Sequence, residues 1–326
     1  MRIFVTGISG YIGQTFVKIL NERKKKGYEI RGIDVKDLPQ QLKNSVDFKI
    51  MDVNSPDVEE FMKGSDVVVH MAFVLNPPKD REYARRVNID GTRNILKSAK
   101  NVGAKQIIVL TSASTYGAHP DNPLFMKEDH PLRGDLNFGF WYSEDKAVQD
   151  RMTQIFAKEN PDIKVCIARP AIVFGENVNN FISQGFFNPP VVGIFHKNVP
   201  FQYIYETDVA RAIWVMIEKK ASGIYNFSGD GVVTMKRGAE IMKKPIIYIP
   251  SSLHKPMYQI MVKAKILDPL TPFAAIDFFK YPWTLDITKA YEELNFFPEM
   301  SSEATFIKAW ESFKAKRSRN SKHSAQ

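Results

Sequence analysis

The chain opens MRIFVTGISGYIGQTFVKIL (1–20), and this stretch decides the fold. Residues 2–6 form a short apolar run that stops at Gly7, the pattern of a strand covered on both faces. From Tyr11 the apolar period changes, and Tyr11, Ile12, Phe16, Ile19 and Leu20 fall on one side of a helix. Between the two lies GISGYIG, with Gly7, Gly10 and Gly13. In a strand–turn–helix setting the first glycine permits a tight turn and the second lets backbone N–H groups approach a pyrophosphate. The third lets the helix pack on the sheet. The helix N-terminus adds partial positive charge for the phosphates. About twenty residues on, Asp34 closes a second strand (28–34), where a carboxylate accepts hydrogen bonds from adenosine ribose hydroxyls. Negative charge there repels a 2′-phosphate, so the pattern favours NAD over NADP, although Lys36 stands close.

The rhythm continues outward. Strand-like runs at 46–52, 66–72, 105–112 and 163–170 alternate with helical patterns, of which 80–101 and 139–159 are the longest. Such alternation implies an α/β fold with a doubly wound parallel sheet. Asp52, closing the third strand, is a candidate for the adenine amino group, and His70, Met71 and Ala72 end the fourth beside the expected cofactor path. His70 reads as a packed strand-end histidine, not a catalyst. After about residue 174 the rhythm breaks, and Phe181, Phe186, Phe187, Pro189, Pro190, Phe195, Pro200 and Phe201 crowd in. The expected organisation is a nucleotide-binding domain of 1–174 plus 206–229. A smaller C-terminal substrate-binding lobe takes 175–205 plus 230–310, and a basic flexible tail takes 311–326.

Composition narrows the classes. The 326 residues are 44% hydrophobic and 25% charged, ordinary for a globular chain, which excludes disorder as a class. The longest nearly apolar run, VVVHMAFVL (67–75), is far short of the ~20 residues a membrane span needs, so no membrane partner is expected. The opening reads as a strand and not as a cleavable leader, which points to the cytoplasm. Cys166 is the single cysteine, set in an apolar run, and reads as a buried thiol. Without a second cysteine or an HExxH pair, no metal is expected. Net charge is +9, of which +4 falls in residues 311–326 (Lys314, Lys316, Arg317, Arg319 and Lys322 against Glu311) and the rest is spread over the chain. A solvated tail is the favoured reading, ahead of a nucleic-acid or anionic-membrane contact. The run Arg23–Lys26 closes the first helix, where cations suit the macrodipole.

Chemistry gathers in the second quarter. Tyr142 and Lys146 stand four apart on a predicted helix, hence on one face, and none of the other tyrosines has a lysine at that spacing. An ammonium beside a phenol favours the phenolate, lowering the tyrosine pKa towards the working range. Tyr142 can then exchange a proton with a substrate oxygen while hydride moves at the carbon. Ser112 ends the fifth strand in TSASTYG (111–117), where its hydroxyl can orient the reacting oxygen.

Taken in order, GISGYIG, Asp34, TSASTYG, Tyr142-xxx-Lys146 and RPAIVFG (169–175) resemble an extended short-chain dehydrogenase/reductase, and more narrowly the NAD-dependent epimerase/dehydratase family. VNIDGTRNIL (87–96), YETDVARAI (205–213) and TLDITKAYEELNFFP (284–298) extend the resemblance to about residue 310. It implies a Rossmann core, bound NAD, a Ser–Tyr–Lys triad of Ser112, Tyr142 and Lys146, and a homodimer built on helices 80–101 and 139–159. The implied cofactor surface comprises Gly7, Ser9, Gly10, Tyr11, Ile12, Gly13, Asp34, Asp52, Val53, Met71, Ala72, Asn88, Thr111, Tyr142, Lys146, Arg169 and Pro170. The small-molecule substrate would meet Ser112, Ser114, Asn179, Asn180 and Phe201.

Three departures narrow the reaction. Family dehydratases carry Asp-Glu after the catalytic Ser/Thr, and here Ala113 and Ser114 stand there. Ile172 takes the place of an Asn that holds diphosphate in sugar-nucleotide epimerases, and Phe201 that of an Arg that grips phosphate. Aromatics that reach the cleft would favour a substrate with an apolar or ring-shaped face. The leading expectation is NAD-dependent hydride transfer at a secondary alcohol or ketone. The alternatives are a sugar-nucleotide 4-epimerase with an unrecognised diphosphate site, and an NAD(H)-sensing binding protein with little catalysis.

Overall fold

The structure, a computed structural model, describes residues 1–22, 27–76, 79–189, 191–194, 198–265 and 273–323. The Arg23–Lys26 run, Pro190 and Phe195 lie outside the described residues. Seven strands make the central sheet: β1 (Arg2–Thr6), β2 (Glu29–Asp34), β3 (Asp47–Ile50), β4 (Val67–His70), β5 (Gln106–Leu110), β6 (Lys164–Pro170) and β7 (Gly223–Phe227). Their order is β7-β6-β5-β4-β1-β2-β3, parallel throughout. Chain direction across the sheet reverses between β1 and β4, the switch point where such sheets open a crevice at their carboxyl ends.

Both faces of the sheet are covered, which is why its strands read as continuous apolar runs. Ile3, Val5, Val67 and Val69 join one core with Phe16, Val17, Ile213 and Trp214 from helices α1 (Tyr11–Glu22) and α4 (Glu206–Glu218). Phe4 and Val68, pointing the other way, join Phe61, Ile95, Leu96 and Ala99. The period-two alternation of side chains sorts one strand into two cores.

The helix expected over 80–101 is present over 81–101 without a gap, but its winding changes part-way. An α-turn (Arg81–Arg85) passes into a π-helical segment (Arg86–Asp90) before α2 (Gly91–Asn101) resumes. Helix α3 (Trp141–Glu159) follows β5, and β6 ends at Pro170. Past that point short strands pair locally, Ile172–Phe174 with Tyr203–Tyr205, Val192–Ile194 with Ile246–Tyr248, and Pro200–Phe201 with Val233–Thr234. Phe174, Phe187, Phe201, Tyr203 and Phe306 are the large side chains of a third core there. Helix α5 (His254–Lys263) follows in the chain.

The basic end, expected as a flexible tail, is helical. Helix α6 runs over Ser302–His323, anchored by buried Phe306 and Ala309. Lys316 Nζ donates to the Glu176 carbonyl at 2.6 Å and Ser312 Oγ to the same oxygen at 2.7 Å. Carbonyl contacts of this kind keep the helix going past its last apolar turn. Among the described residues no helix is long and apolar enough to cross a membrane.

Candidate active site

The glycine loop is held by backbone geometry that side chains would break. Gly7 has φ +72° and donates its N–H to the Ile33 carbonyl at 3.0 Å; a Cβ there would sit 2.6 Å from the Ala72 nitrogen. At Gly13 a Cβ would meet the Gly7 carbonyl oxygen at 2.3 Å. The loop therefore lies against the ends of β2 and β4 as closely as backbone allows, leaving room on its outer side for a ligand. Asp34 Oδ2 accepts from Ser9 N and Oδ1 from Lys36 N, both at 3.0 Å, which fixes the carboxylate at the lip. Its remaining acceptor positions fit ribose hydroxyls. Asp34→Ala is expected to weaken NAD binding about tenfold or more, as loss of a charged hydrogen-bond acceptor does, with little change in Tm. Fluorescence titration with NAD checks this, and unchanged affinity would remove Asp34 from the site.

One cavity of about 1320 Å³ starts at this loop and runs across the sheet edge into the C-terminal region, more than the ~300–1,000 Å³ of a drug-sized site. Gly7, Gly10, Tyr11, Ile12, Gly13, Asp34, Asp52, Val53, Met71, Ala72, Thr111, Ser112, Ser114, Tyr142, Lys146, Pro170, Asn179, Asn180 and Phe201 all line it. Three expected site residues do not. Ser9 contributes its backbone to Asp34, and its own buried hydroxyl has no partner among the described residues. Asn88 faces inward, accepting from Val74 N and donating to Asp145 Oδ2. Arg169 is fully buried, its guanidinium bound to both oxygens of Asp150 at 2.8 Å, to Tyr116 Oη at 2.7 Å and to the Glu128 carbonyl at 2.9 Å. Thr111 lines the cavity, but its hydroxyl donates to Asp150. Arg169 and Asn88 thus stand behind the cleft and not among the residues that line it.

Ser112 caps the turn Ala113–Tyr116, its Oγ accepting from Ser114 N at 3.1 Å. Ser143 Oγ lies 2.8 Å from the carbonyls of both Ser114 and Gly134, so the residue after Tyr142 clamps the serine turn to α3. Ser112 and Ser114 present their hydroxyls to the Tyr142 phenol. Burial raises the Tyr142 pKa, and those two hydroxyls oppose the rise. The expectation that Lys146 lowers it is not met, because the ammonium points elsewhere. Lys146 Nζ donates to the Leu110 carbonyl at 2.9 Å and to Gln149 Oε1 at 3.0 Å, and lies 3.8 Å from the centre of the Phe73 ring. Burial lowers its pKa to about 7, against the pull of Asp150 and Asp145.

A buried chain of hydrogen bonds stands behind this lysine. Gln149 Nε2 donates to Thr92 Oγ1 at 3.0 Å, which in turn donates to the Asn88 carbonyl. Thr92 Oγ1 therefore accepts from His70 Nε2 at 2.9 Å, leaving Nδ1 to accept from Thr6 Oγ1 at 2.7 Å. Burial, with Lys146 nearby, lowers the His70 pKa to about 3, so the ring is neutral and structural, as its strand-end position suggested. Beside Lys146, the fully buried Asp145 accepts from Arg81 at 2.6 and 2.9 Å, from Arg85 at 3.0 Å and from Asn88 at 2.9 Å. This clamp was missed in the sequence. Its available signal was the Arg81/Arg85 pair, four apart and so on one helix face. Cys166 is buried, which pushes its thiol up to about 12 and removes it as a nucleophile.

Residues 3–227 match the model of the NAD dependent epimerase/dehydratase family. The chain belongs to this family. The family's dinucleotide, NAD, is the one the glycine cradle and the Asp34 lip fit. Uncharacterized protein Rv2047c of Mycobacterium tuberculosis is 26% identical over 306 residues, covering 93% of this chain but 29% of that protein. The chain thus spans less than a third of that curated relative. Among solved structures, MoeE5 in complex with UDP-glucuronic acid and NAD superposes with a TM-score of 0.73 at 18% identity, over 97% of this chain and 100% of the other. UDP-glucose 4-epimerase of Thermotoga maritima, with UDP-glucose, gives 0.71 at 21% identity over 97% and 99%. At these identities the structures attest the fold of this family member.

Proposed function

We propose that this family member is an NAD-dependent oxidoreductase acting at a secondary alcohol or ketone carbon, with Ser112, Tyr142 and Lys146 as its catalytic group. The observation that carries this reading is the half-buried Tyr142, its phenol set against two serine hydroxyls in the cavity that begins at the glycine loop. When bound, NAD supplies the hydride acceptor or donor. Ser112 holds the reacting oxygen by a hydrogen bond, and Tyr142 takes its proton or returns it. Lys146, fixed by Leu110 and Gln149, supplies a positive charge or a hydrogen-bond donor at the floor of the cleft. Gly7, Gly10, Gly13 and Asp34 would hold the cofactor, in preference to NADP. A homodimer through the two long helices and a cytoplasmic location belong to the same proposal.

The test is NADH absorbance on mixing NAD-loaded protein with secondary alcohols. Its pH dependence follows from the phenol. A raised Tyr142 pKa keeps the proton acceptor neutral at neutral pH, so alcohol oxidation should accelerate from about pH 7 to about pH 10 while ketone reduction, which uses the protonated phenol, holds. Lys146 adds a stability effect. Between about pH 7 and the ordinary lysine value near ~10.4 the unfolded chain binds the proton that folded Lys146 does not, so stability rises with pH across that window. A rate profile peaking below about pH 7 would contradict the assignment of Tyr142.

The second reading, a sugar-nucleotide 4-epimerase, has the fold likeness to the UDP-glucose 4-epimerase in its favour. It predicts turnover of a UDP-sugar with no net change in NADH absorbance.

A further inference from the structure

We infer that the distal part of this cleft takes an uncharged, predominantly apolar secondary alcohol or its ketone, held by polar contacts only at the reacting end. The inference rests on the hydride-transfer reading and names its substrate class. Among the described lining residues the charged side chains are Asp34, Lys36, Asp52 and Lys146. The first three flank the loop and strand ends that would hold adenosine, and the fourth is the catalytic lysine. Beyond Tyr142 the described wall carries no charged side chain.

A diphosphate brought into that wall would lose hydration with no cation to replace it, at a cost no apolar contact offsets. Backbone donors do not fill the gap. The helix Phe181–Phe187 has its first amides committed, Phe181 N to Asn76 Oδ1 at 3.2 Å and Ser183 N to Asn180 Oδ1 at 3.0 Å. At the helix Met235–Met242, Lys236 N donates to Asn198 Oδ1 and Arg237 N to Thr234 Oγ1. Asn179, a polar candidate on this wall, accepts from Gln184 Nε2 at 2.9 Å.

The wall is built of rings instead. Phe140 packs edge-on to Phe278 at 5.0 Å, Phe278 to Trp283 at 5.0 Å, and Phe279 lies 5.3 Å from Phe186 and 5.6 Å from Phe201. The apolar surface continues to the mouth, where the lining residues Ile247, Phe273 and Ile260 are 40%, 39% and 63% exposed. A hydrocarbon body therefore meets no polar barrier on entry. At the inner end the Ser112 and Ser114 hydroxyls face the Tyr142 phenol, so the polar contacts of this part of the cleft gather beside the reacting oxygen.

The experiment titrates the neutral dye Nile red onto NAD-loaded protein, then competes it with α-tetralone and, separately, with UDP-glucose. The expected result is saturable dye binding, displacement by α-tetralone and none by UDP-glucose. Ile260→Asp, at the exposed mouth, and Met257→Asp, on the wall, should each weaken dye binding about tenfold with Tm unchanged, because both set a carboxylate in an apolar lining. Failure of the dye to bind, displacement by UDP-glucose, or indifference of both variants would overturn the inference. Binding and displacement as expected, with no NADH formed from α-tetralol, would leave the substrate class standing and sink the hydride-transfer reading alone.

Discussion

Tyr142→Phe should leave NAD binding within about twofold of the parent and lower turnover by roughly 10²–10⁴, the usual worth of a positioned proton carrier. The half-buried ring sits edge-on to Phe73 at 5.6 Å and to Phe181 at 6.3 Å, so the phenylalanine ring keeps every apolar contact. Only the hydroxyl facing Ser112 and Ser114 is lost. That makes the substitution a test of chemistry, not of folding. Steady-state rates beside a NAD titration read both quantities. Undiminished turnover would move the proton transfer elsewhere and favour a sensing role, whereas loss of NAD binding would make Tyr142 a structural residue.

Asp150→Ala carries the largest expected cost in stability. Its carboxylate pairs with Arg169 on both oxygens, the two side chains being 0% and 1% exposed, and accepts from Thr111 and Gln154. Burial alone would lower the Arg169 pKa, and the pairing with Asp150 outweighs it, keeping the guanidinium charged. Removing the carboxylate strands that cation in the interior, at about 3–5 kcal/mol. For a chain of this size the fall in Tm is on the order of 5–10 °C. Adding Arg169→Met should recover part of the loss, since an apolar pair of similar volume leaves no unpaired charge. Calorimetric or dichroic melts of the single and double variants decide it. A single variant that melts with the parent would mean that water reaches Arg169.

How far the sequence was legible follows from what each signal depends on. GISGYIG between an apolar strand and an amphipathic helix is a local pattern, and local geometry enforces it, so the loop and the Asp34 lip fell where expected. The parallel sheet was legible because burial on both faces leaves continuous apolar runs such as Val67–Val69. Lys146 was placed in the cleft by its spacing from Tyr142, but its direction was not. That is set by the Leu110 carbonyl, Gln149 and the Phe73 ring, which only tertiary structure brings together. Arg169 shows the same limit. An arginine at a strand end reads equally as an anion grip or as a buried partner, and Asp150, nineteen residues away in sequence, decides between them. The helix over 80–101 was legible, but the π-helical winding at Arg86–Asp90 has no sequence period of its own and was not.

The bonds that link Lys146 through Gln149, Thr92 and His70 to Thr6 have every hydrogen committed, the donations from the two ends converging on Thr92, which passes its own hydrogen to the Asn88 carbonyl. Thr6 closes it by accepting from the Ala72 nitrogen at 3.3 Å. An amide side chain and an imidazole this hard to protonate cannot hand a proton onward, so the string is a dead end, not a wire. In the proposed reaction a proton taken up by Tyr142 would then have to leave by the open side of the crevice, and the access of solvent or buffer to that opening would bound sustained turnover.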